Sequence, residues 1–127
     1  MSNIALTFGD TVKSFPKLYE NKSRKVQKKV RDILNKTVNE VLRELRRPND
    51  VQTDKNYIDR TGKLRGGWKK RRLKGYKYRI SNRTSYASFI ENGTRYITPR
   101  KMLHRALYNA RFRLRRRLRA LVKQVSV

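Results

Sequence analysis

The chain has 127 residues and a formal net charge of +26, from 35 lysines and arginines against 9 acids, with one histidine and no cysteine. That length bounds one domain with a modest core, and the lack of cysteine excludes disulfide staples and thiolate metal sites. The charge is unevenly placed: 13 basic and 8 acidic residues precede Arg60, whereas from Arg60 onward 22 basic residues face a single acid, Glu91. Such a field repels itself and attracts polyanions, which points to nucleic acid or to the rim of an assembly that surrounds it. The mean hydropathy of -0.94 lies near the border of disorder, but the apolar periodicity described next argues for a folded chain. The longest apolar runs span three residues, as at 4–6 and 120–122, too short to cross a bilayer. No basic and then apolar leader follows Met1, so the expected setting is a cytoplasm or a particle assembled there, without a membrane partner.

In chain order, Ile4, Leu6 and Phe8 alternate with smaller or more polar residues, and Gly9-Asp10 closes the run. This predicts a strand within 1–10 followed by a turn. Ser14 is the expected N-cap of a helix over 14–47, with Pro16 in its first turn. Val26, Val30, Ile33, Leu34, Val38, Val41, Leu42 and Leu45 recur at three- and four-residue steps. They predict an amphipathic helix of roughly 30 residues, about 45 Å long, stopped by Pro48-Asn49-Asp50. Residues 48–60 read as loop and 60–97 as sheet and loops. Within that stretch Tyr76, Tyr78 and Ile80 alternate with Lys77 and Arg79 as a half-buried strand. Pattern leaves 86–91 open between strand and helix. Thr98-Pro99 opens a closing helix over 98–124, with Leu103, Leu107, Ala110, Leu114, Leu118 and Leu121 on one stripe. The expected class is α+β: a long N-terminal helix, a small antiparallel sheet, and a C-terminal helix packed on one sheet face.

Two segments concentrate the excess charge. One is Lys69, Lys70, Arg71, Arg72 and Lys74, flanked by Trp68, Tyr76 and Tyr78; the other is Arg111, Arg113, Arg115, Arg116, Arg117 and Arg119 on the closing helix. Guanidinium groups grip phosphate bidentately and lysine acts as a point charge. A merely solvated face has no reason to exclude acids, since Glu–Lys pairs at i,i+4 stabilise exposed helices. Arg100 and Lys101 also sit where the macrodipole of the closing helix disfavours them, so compensation from outside the monomer is expected. Trp68, Tyr76 and Tyr78 read as sheet-face residues ahead of a base-stacking platform. No base-reading motif is present, so contact through phosphates and shape is expected. His104, the only histidine, reads as packed or surface-exposed. No acid pair, metal-ligand cluster or phosphate-cradling glycine loop supports catalysis, a metal or a cofactor.

Two further segments carry more than composition. They are 59–68, containing Thr61, Gly62, Leu64, Arg65 and Trp68, and 86–94, containing Tyr86, Ala87, Glu91, Gly93 and Thr94, followed by Pro99, Leu103 and Ala106. In this order and between two helices, they resemble the small neck and tail-component proteins of tailed bacteriophages, over about residues 57–110. The resemblance implies a non-enzymatic virion protein, a ring subunit at the head–tail junction that meets other connector and tail proteins and the DNA passing through. Independently of it, Thr61 with Gly62 suits a capped turn, Gly93 a positive φ, and Glu91 an ion-pair or hydrogen-bond anchor, with Arg65 or Arg95 as candidate partners. The competing reading is a free, sequence-nonspecific nucleic-acid-binding protein of ribosomal or nucleoid type. A toxin-type ribonuclease lacks a second histidine or a convincing acid–base pair.

Overall fold

The computed structural model describes residues 4–46, 66–84, 91 and 102–125. Three strands, β1 (Ile4–Phe8), β2 (Trp68–Leu73) and β3 (Lys77–Asn82), form an antiparallel sheet in the order β1-β3-β2. The register sets Ile4 opposite Asn82 and Asn82 opposite Trp68, then Leu6 opposite Ile80 and Ile80 opposite Lys70. Side chains opposite one another share a face, so Ile4, Phe8, Ile80 and Trp68 enter the core together.

β2 lies within the 60–97 stretch expected as sheet and loops and starts at Trp68, expected on a sheet face, although 69–72 by themselves show only a basic run. Its core-facing positions after Trp68 are Lys70 and Arg72, and no apolar alternation marks it. An edge strand permits this, because its side chains reach past the core. The Lys70 ammonium donates to Asn35 Oδ1 at 2.7 Å and Asn39 Oδ1 at 2.6 Å, tying the edge to a helix. The Arg46 guanidinium donates to the Trp68 carbonyl at 2.6 Å. The β3 strand begins at Lys77, so Tyr76 belongs to the hairpin turn, where Gly75 has φ 81.

The first helical stretch is also corrected. A 3₁₀ turn (Asp10–Ser14) leads into a short α1 (Pro16–Tyr19), and the long helix α2 runs from Arg24 to Leu45. Ser14 lies inside the 3₁₀ turn and Phe15 precedes α1, so Ser14 is not the cap; Pro16 does occupy the first helical turn. The chain breaks at 20–23 because Asn21 Oδ1 accepts the Ser23 N–H at 2.9 Å. Such local side-chain bonds compete with the helical ladder, and apolar periodicity does not register them.

The closing helix α3 (Met102–Val125) runs antiparallel to α2: Glu40 meets Arg113 and Arg117, while Ile33 and Lys36 lie beside Ala120 and Leu121. Val30, Leu34, Val38, Val41 and Leu45 of α2 share one core with Leu103, Ala106, Ala110, Leu114, Leu118 and Leu121 of α3 and the buried sheet face. Leu107, expected on the α3 stripe, is only half-buried, and Ala106 takes a core position.

Gly9 joins sheet to turn with φ 129, and a Cβ there would lie 2.1 Å from the Tyr76 carbonyl oxygen. Gly75 has a similarly unusual φ, yet a Cβ on it would meet nothing within 4 Å. Gly75→Ala is therefore expected to cost about 1 kcal/mol of backbone strain. Gly9→Ala should cost clearly more, because backbone must also move. Urea denaturation of the two variants checks the order.

Candidate nucleic-acid interface

The second face of the sheet carries Ala5 and Thr7 from β1, Arg79 and Ser81 from β3, and Lys69 and Arg71 from β2. Arg71 stands directly opposite Arg79, and both are exposed. Like charges in that position destabilise a sheet, and none of the three strands contains an acid. Small residues on β1 keep the surface shallow. This is a cationic array on the sheet face opposite the core, of a charge suited to a polyanion backbone. Lys77, at the hairpin end, is the exception: it pairs with Asp10 at 3.5 Å. Nearby, burial pushes the Tyr76 phenol up from its ordinary value, against the opposing effect of Arg31.

The five basic residues expected around β2 divide by position. Lys69 and Arg71 lie on the open face, Lys70 and Arg72 on the core-facing side at its edge, and Lys74 in the hairpin turn; all five are exposed. Trp68 and Tyr78 lie on the core side, and Trp68 is buried, so they form no stacking platform on the open face.

The six arginines of α3 also divide. Arg117 forks onto Glu40, Nη1 to Oε1 at 2.7 Å and Nη2 to Oε2 at 2.8 Å. The same Nη1 donates to the Thr37 hydroxyl at 2.8 Å, which in turn donates to the Ile33 carbonyl at 2.9 Å. Arg113 Nε lies 3.4 Å from Glu40 Oε1. The hydrogen bond from Arg117 holds the Glu40 carboxyl below its ordinary range despite partial burial, and the charges of Arg117 and Arg113 add to this. The same hydrogen bond raises Arg117. Arg113 and Arg117 thus clamp α3 to α2, whereas Arg111, Arg116 and Arg119 are exposed and Arg115 half-buried.

Glu91 is buried, and its carboxylate accepts the backbone N–H of Leu103 and of His104, each at 2.8 Å. It also pairs with His104 Nδ1. A carboxylate on the first-turn N–H groups satisfies orphan donors and complements the positive end of the dipole. Glu91 thus brings an acid from within the chain to the start of α3, while Arg100 and Lys101 lie outside the described residues. The anchor reading of Glu91 gains a geometry that spacing could not give, and its described partners belong to α3. Arg65 and Arg95 lie outside the described residues. So do Thr61, Gly62, Leu64, Tyr86, Ala87, Gly93, Thr94 and the Thr98-Pro99 cap.

Sequence reasoning passed over the N-terminal half of α2, where Arg24, Lys25, Lys28, Lys29 and Arg31 are all exposed. It also passed over Tyr108 and Phe112, exposed on α3. The available signals were five cations in eight residues, and two aromatics at i,i+4 off the leucine stripe. Among the described residues no group of histidine and acids could hold a metal ion. No described helix is long and apolar enough to cross a membrane.

Two outcomes follow from these contacts. Glu91→Ala should lower stability by about 1–3 kcal/mol, because two helix N–H groups lose their acceptor; thermal denaturation reads this. For Glu40, the folded pKa lies below its ordinary 4.5, so its stabilisation is full above that value and is lost as pH falls through the folded pKa. Wild type should be more stable than Glu40→Gln at neutral pH, and the two should converge on acidification, checked by urea titrations across pH.

The sequence profile of a family described as bacteriophage HK97-gp10, a tail component, matches residues 13–93. The matched stretch takes in α1, α2, β2, β3 and Glu91, while α3 follows it. Comparison with curated proteins and with solved structures gave no match. With most of its length matched, the chain belongs to the HK97-gp10-like family of bacteriophage tail-component proteins.

Proposed function

We propose that this chain is a ring-forming structural subunit of the neck or tail terminus at the head–tail junction, with its cationic surface toward the DNA path or acidic neighbours. It acts without catalysis and is assembled into the virion in the host cytoplasm. Family membership supports the tail-component role. The observation that carries the DNA-facing part is the open sheet face, where Lys69, Arg71 and Arg79 stand together on strands that contain no acid. A closed ring repeats such a face around its axis and multiplies phosphate contacts without sequence preference. Duplex passing through a channel needs that kind of contact, because base readout would arrest it.

Ring assembly must overcome the repulsion between subunits of net charge +26, so polyanion or added salt should favour it. Negative-stain microscopy with sedimentation is expected to show closed rings under those conditions. A monomer at every salt and DNA concentration would contradict the ring and favour the free nucleic-acid-binding alternative. Joint replacement of Lys69, Arg71 and Arg79 by Gln should flatten the salt dependence of duplex binding, reducing the log–log slope by about 2–3. An unchanged slope would remove the sheet face from the interface.

A further inference from the structure

Tyr108 and Phe112 are exposed by 57% and 45%, and among the described residues only Tyr19 joins them as an exposed large hydrophobic side chain. They sit one turn apart on α3, edge to face, with ring centroids 5.2 Å apart and planes at 85°. The Arg111 guanidinium lies 4.9 Å from the centroid of Tyr108 and 5.1 Å from that of Phe112. The three side chains form one unit. Around it α3 carries only cations and neutral residues, with no acid in its 24 residues. Aromatic rings and a stacked arginine are the residue types that dominate binding energy at protein interfaces, and this cluster takes no part in the core or in the clamp on Glu40.

Charge decides what covers it. A second copy docked through the same face would set arginines against arginines, and the N-terminal half of a copy is itself net positive, 13 basic to 8 acidic. Nucleic acid would find phosphate contacts there, but bases need a ring lying flat beneath them. Perpendicular rings, each already capped by a guanidinium, offer no such platform. A guanidinium held near the rings by cation–π attraction can still offer N–H groups to a carboxylate. We propose that the Tyr108–Arg111–Phe112 cluster is the docking anchor for an acidic protein neighbour, whose apolar or aromatic side chain packs on the rings while its carboxylates meet Arg111, the exposed Arg116 and the half-buried Arg115. This names the partner class for one part of the cationic surface. It rests on the virion reading for the supply of such a neighbour, and it separates α3 from the DNA-facing sheet.

The test uses fluorescence anisotropy of the full chain with three labelled probes: a glutamate–tyrosine copolymer, polyglutamate of equal length, and a short oligothymidine. Wild type is expected to bind the copolymer about tenfold more tightly than polyglutamate. Tyr108→Ser with Phe112→Ser should erase that preference and leave oligothymidine affinity unchanged. Arg111→Lys, which keeps the charge but loses the guanidinium's bidentate fork, should weaken the preference with no change in folding, so the result does not hang on the double variant. Equal binding of the two polyanions by wild type would overturn the proposal. So would a loss of oligothymidine affinity in the double variant as large as the loss for the copolymer, which would make the cluster a base-stacking site. Duplex binding by the Lys69, Arg71 and Arg79 variant, measured alongside, fails or succeeds separately and reports on the DNA-facing reading alone.

Discussion

Acid is the limiting component of this protein, and where it is placed governs the rest of the structure. Eight of the 9 acids precede Arg60, so the cations of the C-terminal half can be neutralised only by the N-terminal half, by Glu91, or by something outside the chain. Among the described residues, Asp10 pairs with Lys77 at the hairpin end, and two further carboxylates act on the closing helix. Glu40 reaches across the helix pair to Arg117 and Arg113, and Glu91 caps the start of α3. Both act on α3, the element with the most positive charge and no acid of its own. Beyond these contacts, the open sheet face and the outer side of α3 present exposed cations on elements that contain no acid.

Local chemistry and packing agree at the points that hold this arrangement. The leucine stripe of α3 buries against α2 and the sheet, and that places Arg117 beside Thr37 and Glu40. Fork geometry gives the pair direction as well as charge, so it fixes how the two helices sit along one another. On the sheet side of the same turns of α2, Lys70 bonds Asn35 and Asn39, and Arg46, just after α2, holds the Trp68 carbonyl, tying the β2 edge to the helix. Basic residues on this protein therefore have two distinct jobs. Among the described residues, some act as internal clamps and others are exposed on the sheet face and on α2 and α3.

The helix stripes were legible because leucine and valine recur at helical steps with little interruption, and β3 because Tyr78 and Ile80 alternate with charges. β2 was not, since an edge strand can place Lys70 and Arg72 where a central strand would need apolar side chains. The break before α2 depends on one Asn21 side chain, which no periodicity reports. Glu91 stood out as the lone acid of its half, but its partners lie 12 and 13 residues away across a tertiary contact. The Arg117–Glu40 pair, 77 residues apart, is beyond any spacing argument. Reading all six α3 arginines as one contact surface therefore merged clamps with exposed groups.

In the proposed role, the exposed cations of the sheet face and of α3 meet an anion from outside the chain. The most direct test is the melting temperature at low ionic strength, with and without a short duplex DNA of arbitrary sequence. At duplex concentrations about a hundredfold above Kd, linkage supplies about 2.7 kcal/mol, and the melting temperature should rise by several degrees, with the gain fading as salt is added. A melting temperature indifferent to both duplex and salt would contradict the account.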